Sequence, residues 1–374
     1  MERIFLASPH MSDEGYERAF VKEAFDTNWI APLGENVNKF EEELANYVGI
    51  KSAAALSSGT AAIHMAIKSA GVKKGDKVFC QSITFSASAN PIIYEDAIPV
   101  FIDSDEKTWN MSPEALEKAF EKYPDTKAVI VVNLYGNPAK LDEILEICNK
   151  HGAILIEDAA ESLGSLYKGK QTGTFGKYGI YSFNGNKIIT TSGGGMFVSD
   201  DEEAVQKVRF WSTQSREKAL YYEHKEIGYN YRLSNICAGI GRGQLKVLDK
   251  RIAKKTEIYE KYKKELEPTG KFKMINVPDD SVPNHWLSVM TISKDARITP
   301  TDIINKLAKE NIEARNVWKP MHLQPVFKDC DFIKVGDRAV CETLFDTGVC
   351  LPSDTKMTDE EQERIIKIIK EMVK

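Results

Sequence analysis

The chain has 374 residues, and at roughly 100–200 residues per domain that length fits two domains or one large one. Apolar residues make up 42% and charged residues 28%, a balance that excludes disordered, collagen-like and disulfide-dense chains. Fifty Lys and Arg against 55 Asp and Glu give a net charge of −5, which argues against a general nucleic-acid or anionic-membrane binder and leaves room for a local anion pocket. The six cysteines are scattered without C-x-x-C spacing and the six histidines show no H-x-x-x-H pair, so neither a disulfide framework nor a metal site is expected. No apolar run approaches the roughly 18–20 residues of a spanning helix, and the start, MERIFLASPHMSDEG, lacks a signal-peptide pattern; a cytoplasmic protein is the expectation.

Between residues 53 and 200, short apolar runs alternate with helical periodicity. Ile63, Ala66, Ile67 and Ala70 share one helical face, and Leu141, Ile144, Leu145 and Cys148 share another. Val78–Ile83, Val100–Ile102, Ala128–Leu134 and Ala153–Glu157 read as buried strands, and strand–helix–strand order with continuous apolar strands predicts a largely parallel α/β sheet. A charged helical stretch over 246–268, followed by Pro268 and Gly270, marks the exit from the large domain. The division expected is 1–250 and 251–374, and the second part ends in an amphipathic helix over Asp359–Val373. The basic and acidic residues of 201–268 read as a solvated helix surface, and His64 and His151 as structural.

Three segments carry chemistry. Ser57-Ser58-Gly59-Thr60-Ala61-Ala62 opens a helical pattern, where backbone N–H groups and hydroxyls form an anion site, or more simply a cap. Ala153–Asp158 is an apolar strand ending in two acids, at the strand end where open α/β sheets bind ligands. Lys187, in YSFNGNKIITTSGGGM, is flanked by small polar residues and followed by three glycines that suit close backbone approach. An anion cradle, a strand-end carboxylate and a sheltered lysine on one sheet are the parts that hold pyridoxal 5′-phosphate: donors for the phosphate, an anion for the ring nitrogen and an amine for the aldehyde.

At this point the chain resembles the DegT/DnrJ/EryC1/StrS sugar aminotransferase family, through SSGTAA, IEDAAESLGS (156–165), GTFGKYGIYSFNGNKIITTSGGGM (173–196) and IGYNYRLSN (227–235). The resemblance implies an aspartate aminotransferase-like fold (pyridoxal phosphate fold type I), with a mostly parallel seven-stranded sheet in the large domain and a smaller C-terminal α/β domain. It implies that Lys187 bonds covalently to the cofactor and moves the proton, while Asp158 pairs with the pyridinium nitrogen. Ser58, Gly59, Thr60, Ser182 and Asn184 would complete the cofactor site, Phe85 would stack on the ring, and Asn230 would reach across from a second subunit of a homodimer with shared sites.

NWIAPLGE (28–35), STQSRE (212–217) and WKPMHLQPVF (318–327) are similar to the branch of that family that aminates C4 of a UDP-linked 4-keto-6-deoxy-N-acetylhexosamine on the bacillosamine route. L-Glutamate would be the amino donor, and the cofactor would cycle through its pyridoxamine form. Glu161 stands where many members carry His or Gln. An ionised carboxylate there would face the cofactor's phenolic oxygen, so it is either protonated or turned toward substrate. Asn28, Trp29, Arg315 and His322 are the remaining candidate substrate contacts. Alternatives are amination at C3, a dTDP- or GDP-linked sugar, and a non-catalytic homodimer that has kept the fold.

Overall fold

Valine- and isoleucine-rich runs too short for helices build the centre of the molecule, because their branched side chains pack well on a pleated surface covered on both faces. The computed structural model describes residues 2–374. Its strands are β1 (Ser52–Leu56), β2 (Lys77–Gln81), β3 (Ile98–Ile102), β4 (Ala128–Val132), β5 (Ile154–Asp158), β6 (Leu166–Tyr167), β7 (Lys170–Gln171), β8 (Tyr178–Ser182) and β9 (Gly195–Ser199), then β10 (Phe272–Met274), β11 (Ser281–Val282), β12 (Ser288–Ile292), β13 (Arg315–Asn316), β14 (Phe332–Ile333) and β15 (Gly348–Leu351). The main sheet has the order β1-β9-β8-β5-β4-β2-β3-β14, and only β9 runs against its neighbours. This is the largely parallel α/β architecture expected from the sequence.

Seven strands were expected, and the structure adds an eighth: β14, from the C-terminal part of the chain, pairs Phe332 with Phe101 and Ile333 with Ile102. A two-residue strand has no alternation to betray it in sequence. The predicted strands over 78–83 and 128–134 both stop earlier, at Gln81 and Val132. Beyond Val132 the chain turns through Leu134–Gly136, where Tyr135 takes the left-handed conformation at φ 56°.

Helices cover both faces. Gly59–Ser69 and Glu202–Ser212 bury Ile63, Ile67, Val205 and Val208 on one side, while Pro113–Lys122 and Leu141–His151 bury Leu116, Phe120, Leu141 and Ile144 on the other. The charged stretch expected over 246–268 is a helix from Leu248 to Leu266. A 3-10 turn follows it and ends on Gly270 at φ 69°, a left-handed stop that suits glycine. It leads into a second, antiparallel sheet of order β10-β12-β15-β13. Near the start of the chain, Ile4 forms a bridge with Ile312 beside that sheet. No helix among the described residues is long and apolar enough to cross a membrane.

One buried acid ties the N-terminal helix Glu35–Val48 to the main sheet. Glu41 is 5% exposed; it accepts hydrogen bonds from Arg209 at 2.9 and 3.2 Å, from the Ala55 amide at 2.6 Å and from Arg232. Arg232 and Arg209 also donate to the carbonyls of Ala55 and Ala53, so the carboxylate holds β1, the helix Glu202–Ser212 and the 227–235 segment in one register. Removing one partner of such a pair leaves uncompensated buried charge, and Glu41→Ala should lower unfolding free energy by about 3–5 kcal/mol. A urea titration reads this directly: a midpoint within error of wild type would show that the two arginines find water instead.

Candidate active site

A cavity of about 380 Å³ opens at the carboxyl ends of the parallel strands, and its walls hold Ser58, Gly59, Thr60, Phe85, Asp158, Glu161, Ser182, Asn184 and Lys187 together. These residues come from separate segments of sequence, and the topology delivers each to the same rim.

The anion end is built from β1 and the helix behind it. Ser58 caps Gly59–Ser69 by accepting the Ala61 N–H at 3.0 Å, which leaves the first-turn N–H groups of Gly59 and Thr60 without helical partners. Ser182 ends β8 directly against Gly59, where an added Cβ would lie 3.0 Å from the serine Cβ. On the facing strand, a Cβ on Gly195 would come within 2.3 Å of the Ser58 carbonyl oxygen, so only glycine lets the two segments close up. The result is a cradle of N–H groups, hydroxyls and a helix dipole that suits a phosphate.

Asp158 lies at the end of β5 and is 4% exposed. Its oxygens accept from Ser88 Oγ at 2.6 Å and from the Ala160 N–H at 3.1 Å, and Ser88 is itself bonded to Thr84 at 2.8 Å. Burial pushes the carboxyl above its ordinary range, against the pull of Ser88, of the Ala160 amide and of the Lys187 charge. A carboxylate in that position is stabilised by a cation brought into the cavity. Lys187 follows the turn after β8, with its N–H on the Asn184 carbonyl at 3.0 Å and its Nζ 4.3 Å from the centre of the Trp286 ring.

Glu161 is equally buried. Its carboxylate accepts the Tyr135 N–H at 2.6 Å and the Trp318 Nε1–H at 3.1 Å, and Trp318 in turn donates its backbone N–H to the Tyr135 hydroxyl at 2.8 Å. Burial raises its pKa first, and the Lys187 charge opposes that most strongly. Each oxygen receives one donor, so acceptor capacity remains for a ligand N–H or O–H. Phe85, 52% exposed, tilts against Trp318 with ring centres 5.4 Å apart.

Five candidates lie outside this cavity. Arg315 pairs with Glu313 at 3.0 Å on the surface. His322 sits behind the site, stacked on Phe332 at 3.7 Å and bonded to Ser82 Oγ at 2.7 Å and Glu342 at 3.1 Å, and burial lowers its pKa. It fastens the Met321–Leu323 turn to the segment just after β2. Asn28, Trp29 and Asn230 are exposed in the single chain. Conversely, Trp286, Trp318 and Asn186 line the cavity, with Tyr135 and Ser88 behind them, and none was singled out from sequence. Trp318 begins WKPMHLQPVF, and the polar N–H that tryptophan carries on an apolar body is what marks it in sequence.

The donor set fits pyridoxal phosphate: a phosphate cradle, a buried carboxylate for a ring N–H, an aromatic edge and an amine in one cavity. Residues 12–370 match the family model described as the DegT/DnrJ/EryC1/StrS aminotransferase family. The chain is 55% identical over 373 residues to EpsN of Bacillus subtilis (strain 168), covering 98% of this chain and 95% of EpsN. It is 36% identical over 372 residues to GDP-perosamine synthase of Escherichia coli O157:H7, covering 99% of each. It is 33% identical over 292 residues to the UDP-4-amino-4,6-dideoxy-N-acetyl-beta-L-altrosamine transaminase of Campylobacter jejuni subsp. jejuni serotype O:23/36 (strain 81-176), covering 77% of each. Cradle, strand-end acid and lysine thus occur in a chain that belongs to the DegT/DnrJ/EryC1/StrS aminotransferase family and is a pyridoxal phosphate-dependent aminotransferase.

Proposed function

We propose that the enzyme moves an amino group from L-glutamate to C4 of a UDP-linked 4-keto-6-deoxy-N-acetylhexosamine. The observation that carries the sugar class is Glu161: an acceptor fixed between Tyr135 and Trp318 at the cavity wall suits the N–H of an acetamido group. Support comes from the segments shared with the bacillosamine-type branch and from the Campylobacter relative, whose name joins UDP, a 4-amino group and an N-acetyl sugar. The Escherichia coli relative favours the second reading, a GDP-linked sugar.

Pyridoxal phosphate, when bound, supplies the electron sink that makes the carbon bearing the migrating nitrogen acidic. The amides of Gly59 and Thr60, with the Ser58 and Ser182 hydroxyls and Asn184, hold the phosphate. Asp158 keeps a proton on the ring nitrogen, and the Ser88 and Ala160 donors fix its orientation. Lys187 Nζ takes the proton from Cα of glutamate and, in the second half-reaction, delivers one to C4 of the sugar. Phe85 and Trp318 exclude water beside it. Asn230, Asn28 and Trp29 complete the site of a partner subunit in a homodimer, a reading supported by the exposed apolar surface that Trp29, Ile30, Leu33, Tyr94 and Ile227 leave on the single chain.

Lys187→Ala should reduce turnover by about 10³-fold while the fold persists, because one amine performs both proton transfers; normal turnover would remove it from the mechanism. Glu161→Gln should still bind cofactor, with its visible band intact, and raise KM for the sugar nucleotide about tenfold. Loss of cofactor binding in that variant would place Glu161 on the cofactor instead of the sugar. The deciding assay mixes the desalted pyridoxamine form with UDP-4-keto-6-deoxy-N-acetylglucosamine and follows the return of the visible band. Return supports the proposal. Return only with a GDP- or dTDP-linked keto sugar overturns the nucleotide and keeps the chemistry.

A further inference from the structure

Behind Lys187 lies a crevice of about 10 Å³, with room for no more than one water, and Lys255 and Asp354 share its walls with Lys187. Lys255 projects from the helix Leu248–Leu266 and is 4% exposed. Its ammonium donates to two main-chain carbonyls, those of Trp286 and Ser353, each at 2.8 Å. Burial lowers its pKa to about 8, with the Asp354 charge opposing that shift and the Arg251 charge adding to it. An apolar side chain of the same length would fill this space without desolvating a charge, so packing alone does not account for a lysine here.

What Lys255 grips leads into the active site. The Trp286 amide donates to Asn284 Oδ1 at 2.9 Å, its indole Nε1–H donates to the Asn186 carbonyl at 2.7 Å, and its ring lies 4.3 Å from Lys187 Nζ. Ser353, the other residue held, receives the Ser288 N–H on its hydroxyl at 2.8 Å and so fixes the start of β12, just beyond Trp286. One ammonium therefore sets the position of an aromatic face that touches the reactive amine.

We propose that Lys255 is a positioning residue: by bridging the carbonyls of Trp286 and Ser353 it holds the Trp286 ring against the Lys187 nitrogen, and that face favours the cationic form of the nitrogen. The other titratable groups facing Lys187 are Asp158 and Glu161 in the cavity, neither of which touches Lys255, and Asp354 and His10 across the crevice. The inference rests on the pyridoxal phosphate chemistry and not on which sugar nucleotide is used.

The test uses the cofactor-loaded enzyme and glutamate alone, so it is separable from the question of the sugar. The pH at which the visible band of bound pyridoxal phosphate converts between its two forms reports the proton on the Lys187 nitrogen. In Lys255→Met that midpoint should fall by about half a pH unit to about one unit. The rate of the glutamate half-reaction should fall about 3–10-fold, with glutamate affinity unchanged. Trp286→Phe keeps a ring but removes the Nε1–H donor, and should move the midpoint in the same direction. The double variant should shift no further than the larger single one, as expected for residues acting through one another. A midpoint that stays put or rises in Lys255→Met overturns the proposal, since a rise is what removing a nearby positive charge through space would give. If Lys255→Met does not fold, Trp286→Phe decides the matter, and an unmoved midpoint there is equally fatal.

Discussion

Two carboxyl groups, Asp158 and Glu161, are buried in the same cavity as a single ammonium, that of Lys187, and the rest of the site is arranged around the cost of keeping them there. Burial drives both pKa values up, and each carboxylate is given its own pair of donors in return: Ser88 and the Ala160 amide for one, the Tyr135 amide and the Trp318 indole for the other. The Tyr135 donor requires a left-handed backbone in a non-glycine residue, a conformation that costs about 1–2 kcal/mol. Such strain persists where the surroundings over-determine it, and Tyr135 is clamped by its stacking on Trp318 and Trp286 and by its hydroxyl on the Trp318 N–H.

Strand alternation explains why two adjacent acids have opposite fates. Asp158 points into the cavity, whereas Glu157, one residue earlier and fully buried, turns to the other face and accepts the N–H groups of Gly173, Phe175 and Gly176. The loop it grips leads directly into β8, whose last residue is Ser182. A single strand thus places a buried carboxylate in the cavity and, through Glu157, sets the register of the strand that ends at the anion cradle. The second sheet contributes the opposite wall: Trp286 precedes β12 and Trp318 follows β13, so the cavity exists only when the two sheets are assembled.

What the sequence made legible were the residues whose roles are set within a few positions of their strand ends. The Ser58-Gly59-Thr60 turn, the end of β5 and the glycine run after Lys187 each carry their geometry locally, through capping, alternation and the absence of Cβ. The aromatic wall did not show itself because its meaning depends on contacts across 157 residues, Trp318 to Glu161, and across 100, Trp286 to Asn186. His322 was read as a ligand contact from its neighbours in WKPMHLQPVF. Four positions after Trp318, past a proline, the chain has already turned, and within the single chain the imidazole meets Ser82 and Phe332. Asn28, Trp29 and Asn230 are exposed and are held through their main chains, Trp29 by the Asn235 side chain on its carbonyl and Asn230 by a bridge to Thr213, so nothing in one chain fixes what their side chains meet.

The small strand β14 has an outcome for how the molecule comes apart. It returns the C-terminal part of the chain to the outer edge of the main sheet, while Ile4 brings the chain's beginning to Ile312 beside the second sheet. Each part of the chain therefore holds a strand or bridge belonging to the other's surroundings, and neither sheet can lose its order while the other keeps a complete edge. Heat or denaturant acts on such an interlaced pair as on one cooperative unit, in spite of the separate hydrogen-bonded ladders, and the third, β11-β6-β7, itself joins both parts of the chain. The same crossing limits how far the sheets can swing apart as ligands enter and leave, favouring small sliding movements over a wide hinge.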